Sequence, residues 1–228
     1  MSNAPETEQL WLELPPISPK APPRLLIFMH PAGSSPEAFA PVAIAWQLKF
    51  PGATGIVLQG LRHLGRHTDW FDPSDVDGQS TQRLQAACEL ILTRIAALQD
   101  QIGIGPQQTV LIGHGQGATV ALECARLQPS SMSIVAAYGA RLMRPIAPDE
   151  RVSSVIHLMH GEFDSVVPTV YGMRAYRGLL AVGTDVTLDI VEGEAHVIGQ
   201  DMVNVGTTRV MQTLFRGRRA RRGRPTIH

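Results

Sequence analysis

The sequence has few of the residues that build disulfide frameworks, membrane spans or disordered chains. Only two of its 228 residues are cysteines, Cys88 and Cys124, and both lie in apolar helical patterns that predict buried free thiols. The longest uncharged apolar stretches, such as Leu25–Met29 and Ile134–Ala137, are far shorter than the roughly 20 residues that span a bilayer. Hydrophobic residues make up 44% and charged residues 18%, which excludes a disordered chain and indicates one globular, enzyme-sized domain.

A targeting signal is also missing from the N-terminal residues. Met1–Glu8 is polar and acidic, with neither the basic start nor the apolar segment of a secretory signal. We therefore expect a cytoplasmic protein whose cysteines stay reduced.

The net charge of zero hides a basic C-terminus. All 20 acidic residues lie at or before Asp201, whereas six arginines lie within Arg216–Arg224. Such a run can bind nucleic acid, but it offers almost no apolar surface with which to fold. We predict a single domain over residues 1–215 and a disordered, arginine-rich tail over residues 216–228, and we do not expect nucleic acid as the main partner.

Apolar runs alternate with helical patterns along nearly the whole chain. The predicted strands are Leu10–Leu14, Arg24–His30, Thr54–Gln59, Thr109–Ile112, Ser133–Tyr138, Val152–Met159 and Val186–Val191. The predicted helices are Glu37–Lys49, Gln79–Ile102, Gln116–Leu127, Thr169–Val182 and Gly199–Phe215. The segment Leu61–Gly78 is too rich in Gly, Asp and His for a regular element. The alternation predicts a doubly wound α/β fold, with a mostly parallel sheet covered by helices on both faces.

The strongest motif lies between the strand at Thr109–Ile112 and the helix that follows it. There the chain reads GHGQG at residues 113–117, a glycine-dense turn between an apolar strand and an Ala/Leu-rich helix. This is the context of the nucleophile elbow, G-x-S-x-G, whose central residue projects toward a helix N-terminus that can stabilise an oxyanion. The segment fits everywhere except at its centre, where Gly115 stands in place of a nucleophilic serine.

Two further segments follow the elbow in the order expected of an α/β-hydrolase. Asp164 lies in HGEFDSVVP at residues 160–168, directly after a predicted strand, and His196 follows the next strand. The chain order of elbow, aspartate and histidine is the one found in that fold. Upstream, His30–Ser34 closes an earlier strand, where these enzymes place their second oxyanion donor.

Taken together, these segments resemble the phospholipase/carboxylesterase family of α/β-hydrolases, which includes acyl-protein thioesterases and small bacterial esterases. The resemblance extends from about Leu25 to Phe215. It rests on His30–Ser34 (H-G-x-G in the family), Trp70-Phe71-Asp72, Gly113–Gly117 (G-F-S-Q-G in the family), His160–Pro168 and Glu194-Ala195-His196.

The resemblance implies a role for each matching residue. Asp164 would orient His196, which would act as the general base, and the backbone N–H groups of Ala32 and Gln116 would form the oxyanion hole. Trp70 would line the acyl pocket. The implied function is a carboxylesterase- or phospholipase-like hydrolase that acts on a small ester or thioester with an apolar acyl group. No cofactor and no metal are expected, and the sequence leaves a homodimer open.

Two residues depart from the family pattern. Pro31 replaces the glycine of H-G, which removes one N–H, although the donor implied by the family belongs to the next residue, Ala32. Gly115 removes the nucleophile. Three explanations stay open: a degenerate hydrolase that binds without turnover, an enzyme that uses another nucleophile or an activated water, or a chain in which a serine has been mutated.

Other polar clusters have simpler explanations. Ser34 and Ser35 are the nearest hydroxyl groups by chain position, but a helix N-cap ahead of Pro36 is the favoured role. The spacing of His63 and His67, with Asp69 and Asp72 nearby, suggests zinc, but Gly65 makes the required helix doubtful and the motif has no glutamate. General loop polarity explains these residues better. The surviving hypotheses are thus an ester hydrolase and a non-catalytic binding protein on the same scaffold.

Overall fold

The computed structural model describes residues 11–222, with side chains as far as Arg216. In that part of the chain the strands are β1 (Trp11–Leu14), β2 (Arg24–Met29), β3 (Ala53–Leu58), β4 (Arg62–Leu64), β5 (His67–Asp69), β6 (Thr109–His114), β7 (Ile134–Tyr138), β8 (Val155–Gly161) and β9 (Val186–Val191). The α-helices are α1 (Pro36–Gln47), α2 (Ser80–Ile102), α3 (Gln116–Leu127), α4 (Thr169–Ala181) and α5 (Gln200–Arg222).

Seven of the strands form one sheet in the order β1-β3-β2-β6-β7-β8-β9. The edge strand β1 pairs antiparallel with β3, and all other pairs in this sheet are parallel. The predicted α/β fold with a mostly parallel sheet is therefore confirmed. All six parallel strands end at the same edge, so the loops that follow β2, β6, β8 and β9 come together there.

Helices bury both faces of the sheet. Along β2, Leu25, Ile27 and Met29 belong to the core beneath α2, α3 and α4, whereas Leu26 and Phe28 belong to the core beneath α1 and α5. This alternation follows from the two-residue period of a strand. It explains why the central strands are uniformly apolar in sequence: both of their faces are buried.

The segment Leu61–Gly78 is more regular than predicted. It contains a two-stranded antiparallel hairpin, β4–β5, in which His63 lies opposite Thr68. Thr68 also bridges to Ser34 in the loop after β2. The prediction of no regular element was wrong because three-residue strands are too short to show an apolar alternation.

The chain ends also differ from the predicted bounds. Helix α5 continues to Arg222 rather than ending at Phe215. Residues 223–228 of the predicted tail, and Leu10 of the first predicted strand, lie outside the described residues. The domain boundary at residue 215 and the disorder of the tail stay predictions.

The described part of the chain contains neither a membrane-spanning helix nor a disulfide. None of its helices is long and apolar enough to cross a membrane. Cys88 and Cys124 are buried and form no disulfide, as predicted. A cytoplasmic location stays a prediction.

Four buried histidines make the fold sensitive to acid. Burial lowers the pKa of His157 to about 4 and that of His114 to about 3, and it also lowers the pKa values of His30 and His160. His157 lies in the middle of β8, where its two ring nitrogens are 2.9 and 3.0 Å from hydroxyl oxygens of Thr187 and Thr213. Each of these histidines stays neutral in the folded protein at a pH where it would be protonated in the unfolded chain.

The stability should therefore fall as the pH is lowered from 7 to 5. The unfolded chain takes up protons at histidines below about pH 6.5, whereas His114 and His157 stay neutral in the folded chain down to pH 5, so each of these two should remove roughly 2 kcal/mol of unfolding free energy over this interval. His30 and His160 should add to the loss in the same direction. Urea unfolding followed by circular dichroism at both pH values measures the loss. His157→Gln should retain hydrogen bonding to Thr187 or Thr213. The loss of unfolding free energy in this variant should be smaller by roughly 2 kcal/mol, the contribution of one histidine.

Carboxylates with lowered pKa values contribute little to the loss of stability between pH 7 and 5. Glu150, whose pKa is lowered to about 2 chiefly by its hydrogen bonds to Arg126, destabilises the fold only below its unfolded pKa near 4.5. An equal loss between pH 7 and 5 in the wild type and in His157→Gln would contradict the assignment.

Candidate active site

The elbow predicted from GHGQG is present at the edge of the sheet. Gly115 follows β6 with φ 56° and ψ −114°, and α3 begins at the next residue, Gln116. This backbone conformation is strained for residues with a Cβ, so glycine adopts it at less cost than serine. The predicted backbone geometry of the elbow is thus confirmed.

The two outer glycines of the elbow allow a close approach of backbones. A Cβ on Gly113 would lie 2.5 Å from the Cα of Ala118, and a Cβ on Gly117 would lie 2.3 Å from the carbonyl oxygen of Met29. Real Cβ atoms do not come so close to backbone atoms. Helix α3 therefore packs directly on β6 and β2, which brings its N-terminus to the carboxyl end of the central strands.

Asp164 and His196 form a hydrogen-bonded pair beside the elbow. The Oδ2 atom of Asp164 lies 2.7 Å from Nδ1 of His196. The other carboxylate oxygen accepts the backbone N–H groups of Val166 and Val167 at 2.9 and 2.7 Å, which fixes the orientation of the carboxylate. With Nδ1–H donating to Asp164, Nε2 of His196 is the nitrogen that can accept a proton.

The free nitrogen of His196 faces Gly115. A Cβ built on Gly115 would lie 3.0 Å from Nε2 of His196 and 3.5 Å from Cβ of Pro31. The imidazole is thus placed to act on a group at the position where the family has its serine. At 3.0 Å, a side chain at residue 115 would also require His196 to shift by a few tenths of an ångström.

Gly139 borders the Asp164–His196 pair from the end of β7. It has φ 56°, and a Cβ there would lie 3.0 Å from Cε1 of His196 and 3.1 Å from Oδ2 of Asp164. A side chain at this position would press on both members of the pair. The close contact between carboxylate and imidazole therefore depends on a glycine in the neighbouring strand-end loop.

His114 supports the ring of His196 from the side. The two imidazole centroids are 4.5 Å apart, and the ring of His114 also stacks on Phe39. Burial, followed by the neighbouring His196, lowers the pKa of His114 to about 3. His114 is therefore neutral near pH 7 and supplies packing surface.

The loop after β2 is shaped by His30, which is fully buried. Its Nδ1 lies 2.7 Å from the carbonyl oxygen of Pro31, and its Nε2 accepts the backbone N–H of Gly60 at 3.2 Å. The hydroxyl of Thr68 lies 3.1 Å from the same Nε2. These contacts fix the turn that presents Ala32 toward the elbow.

Two backbone N–H groups are available at the elbow. Within the described residues, no hydrogen bond occupies the backbone N–H of Ala32 or of Gln116. The side chain of Gln116 is fully used: Oε1 accepts the N–H of Trp70 at 2.8 Å, and Nε2 donates to the carbonyl of Phe71 at 2.9 Å. The roles of Ala32 and Gln116 as oxyanion donors stay predictions.

The structure places Trp70 beside the loop after β2. Its side chain is only 1% exposed, and its indole N–H donates to the carbonyl of His30 at 2.8 Å. It thus packs beneath the loop after β2 and does not border the cavity at the elbow. Its neighbour Phe71 borders that cavity instead. The role of Trp70 in an acyl pocket stays a prediction.

A cavity of about 390 Å³ opens over Gly115 and His196. Such a volume suits a small-molecule ligand. Its walls are formed by Pro31, Ala32, Phe71, Pro73, His114, Gly115, Gln116, Thr119, Arg141, Val166, Val167 and His196. No sequence motif marks Thr119, which lies inside a helix, or Arg141, which lies in a loop, as a residue of this cavity.

The other candidates from the sequence lie outside this cavity. Ser35 caps α1, with its hydroxyl accepting the N–H of Ala38 at 3.3 Å, as predicted. Ser34 pairs with Thr68 and does not line the cavity. His63 and His67 lie on the β4–β5 hairpin, and no group of three or more metal-ligating side chains is found within the described residues.

Comparisons with known proteins agree with this geometry. Esterase YpfH of Escherichia coli K12 is 31% identical over 185 residues, which cover 79% of each chain. The crystal structure of esterase PE8 is 26% identical and superposes with a TM-score of 0.76, over 88% of this chain and 97% of that one. The carboxylesterase of Bacillus cereus, at 12% identity, shares the fold with a TM-score of 0.75 over 89% of this chain and 93% of that one.

A family model also matches most of the chain. The model described as Phospholipase/Carboxylesterase matches residues 17–210. This match contains the elbow, Asp164 and His196. The chain therefore belongs to the phospholipase/carboxylesterase family of α/β-hydrolases.

Proposed function

We propose that this protein hydrolyses small carboxylic esters or thioesters, with His196 and Asp164 activating a water molecule over Gly115. The observation that carries the proposal is the Asp164–His196 hydrogen bond of 2.7 Å. It fixes the tautomer in which Nε2 accepts a proton, and Nε2 faces the position of the missing side chain. A general base that is correctly oriented needs only a nucleophile with a removable proton.

The reaction follows from this placement. Nε2 of His196 removes a proton from water as the oxygen attacks the carbonyl carbon, and the tetrahedral oxyanion accepts the N–H groups of Ala32 and Gln116. Asp164 stabilises the imidazolium that forms. When the intermediate collapses, His196 returns the proton to the departing alkoxide or thiolate. One ester and one water give one acid and one alcohol or thiol, without an acyl-enzyme.

Water is the preferred nucleophile because no suitable side chain is close. Thr119 carries the only hydroxyl among the residues that line the cavity. That hydroxyl donates to the carbonyl of Gly115 at 3.2 Å, one turn back along the helix. Its proton is thus directed away from His196. Ser34, the nearest hydroxyl by chain position, does not border the cavity.

The cavity walls favour an apolar acyl group of modest size. The larger apolar residues that line the cavity are Pro31, Phe71, Pro73, Val166 and Val167. Burial of a methylene group against such a surface contributes about 0.8 kcal/mol to binding. Membership of the phospholipase/carboxylesterase family indicates that the substrates are small-molecule esters.

A second candidate is a protein that binds esters without hydrolysing them. The observation that favours it is the missing nucleophile at Gly115. The cavity, the N–H groups of Ala32 and Gln116 and the oriented imidazole would then hold a ligand. Turnover that depends on His196 separates the two candidates.

The wild-type protein should hydrolyse 4-nitrophenyl butyrate slowly and without a burst. In a well-studied serine protease, loss of the nucleophile lowers kcat about 2 × 10⁶-fold. The remaining rate is still roughly 10³–10⁴ times that of the uncatalysed reaction in water. His196→Ala should lower the remaining rate further, to the part that an oxyanion hole and binding supply without a general base. Mass spectrometry after incubation with a fluorophosphonate should show no adduct.

Two results would contradict this proposal. A rate unchanged in His196→Ala would favour the binding protein. A fast reaction with a burst of nitrophenol would require a covalent nucleophile.

Restoring the hydroxyl should restore serine-hydrolase chemistry. Gly115→Ser places Oγ beside Nε2 of His196, so we expect fluorophosphonate labelling and an esterase rate at least about a hundredfold higher than in the wild type. His196→Ala in the same background should remove the gain.

Gly115→Ala is the matched control. Alanine meets the same contact with His196 and the same strain at φ 56°, so both variants should lose about 1–3 kcal/mol of stability, but only the serine variant should gain activity. A folded serine variant that stays inert would show that the N–H groups of Ala32 and Gln116 do not form an oxyanion hole.

A further inference from the structure

Arg141 lies at the wall of the cavity over Gly115. It follows β7 and is partly buried, and its backbone N–H donates to the hydroxyl of Thr119 at 3.4 Å. That hydroxyl in turn donates to the carbonyl of Gly115. Two hydrogen bonds therefore link the backbone of Arg141 to the elbow.

Neighbouring arginines are neutralised by carboxylates. Arg126 and Arg144 each contact both Glu123 and Glu150, at distances of 2.8 to 2.9 Å. These two arginines and two glutamates form a group with no net charge. Arg141, three residues before Arg144, takes no part in it.

The guanidinium of Arg141 has no partner among the residues that the structure describes. Among the described residues it forms no ion pair and no side-chain hydrogen bond, whereas most arginines of this domain form one or the other. It is also the only Asp, Glu, Lys or Arg among the residues that line the cavity. The described structure thus gives this cation a place at the site and no carboxylate to neutralise it.

We propose that Arg141 binds a carboxylate carried by the substrate, so that the preferred substrates are ester acids rather than neutral esters. The inference deepens the proposed function, since it concerns the same cavity. A guanidinium presents parallel N–H donors that match the two oxygens of a carboxylate. The carboxylate can belong to the acyl portion or to the alcohol portion of the ester.

Binding, measured before appreciable hydrolysis of the probe, tests the proposal independently of the rate of turnover. Two pairs of probes differ by one charge each: monoethyl succinate and diethyl succinate carry the difference on the acyl portion, and 4-acetoxybenzoate and its methyl ester carry it on the alcohol portion. Ligand-observed NMR titration of the wild-type protein gives the four dissociation constants. In one pair, the acid should bind about tenfold more tightly than its neutral partner. The pair that does so identifies the portion that carries the carboxylate.

Variants at residue 141 connect this preference to the guanidinium. Arg141→Gln should reduce the ratio of the two dissociation constants about tenfold, to near one. Arg141→Lys keeps the charge but loses the paired donors, so its ratio should lie between those of the wild type and Arg141→Gln. Arg151→Gln is the matched control: Arg151 is an exposed arginine of the same β7–β8 connection, its guanidinium donates to the carbonyl of Glu150, and it does not line the cavity. Its ratio should equal that of the wild type.

The outcomes separate this inference from the hydrolytic proposal. A preference for the acid that Arg141→Gln removes and Arg151→Gln preserves would support the inference, even if no ester were hydrolysed. Equal binding of acid and neutral ester in both pairs would overturn it. So would an equal loss of preference in Arg141→Gln and Arg151→Gln, which would reflect the overall charge only.

Discussion

The site depends on a close approach of backbones where β6 turns into α3. Gly113 and Gly117 allow it, because a Cβ at either position would overlap the backbone of the helix or of β2. The approach determines where the first turn of α3 lies. It thereby also positions the N–H of Gln116 and the positive-φ turn at Gly115. The loops after β2, β7, β8 and β9 then meet around that point.

The pairing of Asp164 with His196 is a second consequence of the sheet topology. Because β8 and β9 are parallel neighbours, the loops that follow them are adjacent, although the two residues are 32 positions apart. The neighbouring strand β7 contributes Gly139, which leaves room for the pair. Of the three positions that the family pattern assigns to the triad, residue 115 lacks its side chain, whereas Asp164 and His196 are present and hydrogen-bonded to each other. The departure is local, and the supporting scaffold is retained.

Sequence patterns predicted the parts of this protein that are locally encoded. Central strands and helices have apolar periodicities long enough to recognise, and the elbow has a dense glycine signature. The β4–β5 hairpin has three-residue strands with polar side chains, so no periodicity marks it. The position of Trp70 depends on the bond from its indole N–H to the carbonyl of His30, which is 40 residues away in sequence, so no local pattern encodes it. Arg141 cannot be recognised as a cavity residue from sequence, because its position and the ion pairs of Arg126 and Arg144 depend on the tertiary structure.

The ring of His114 determines where a positive charge can arise beside the elbow. Its centroid lies 4.5 Å from that of His196, so a proton on His196 would repel a second positive charge on His114. Burial keeps His114 uncharged down to a pH of about 3. The positive charge that arises at the site therefore stays on one ring, next to the carboxylate of Asp164.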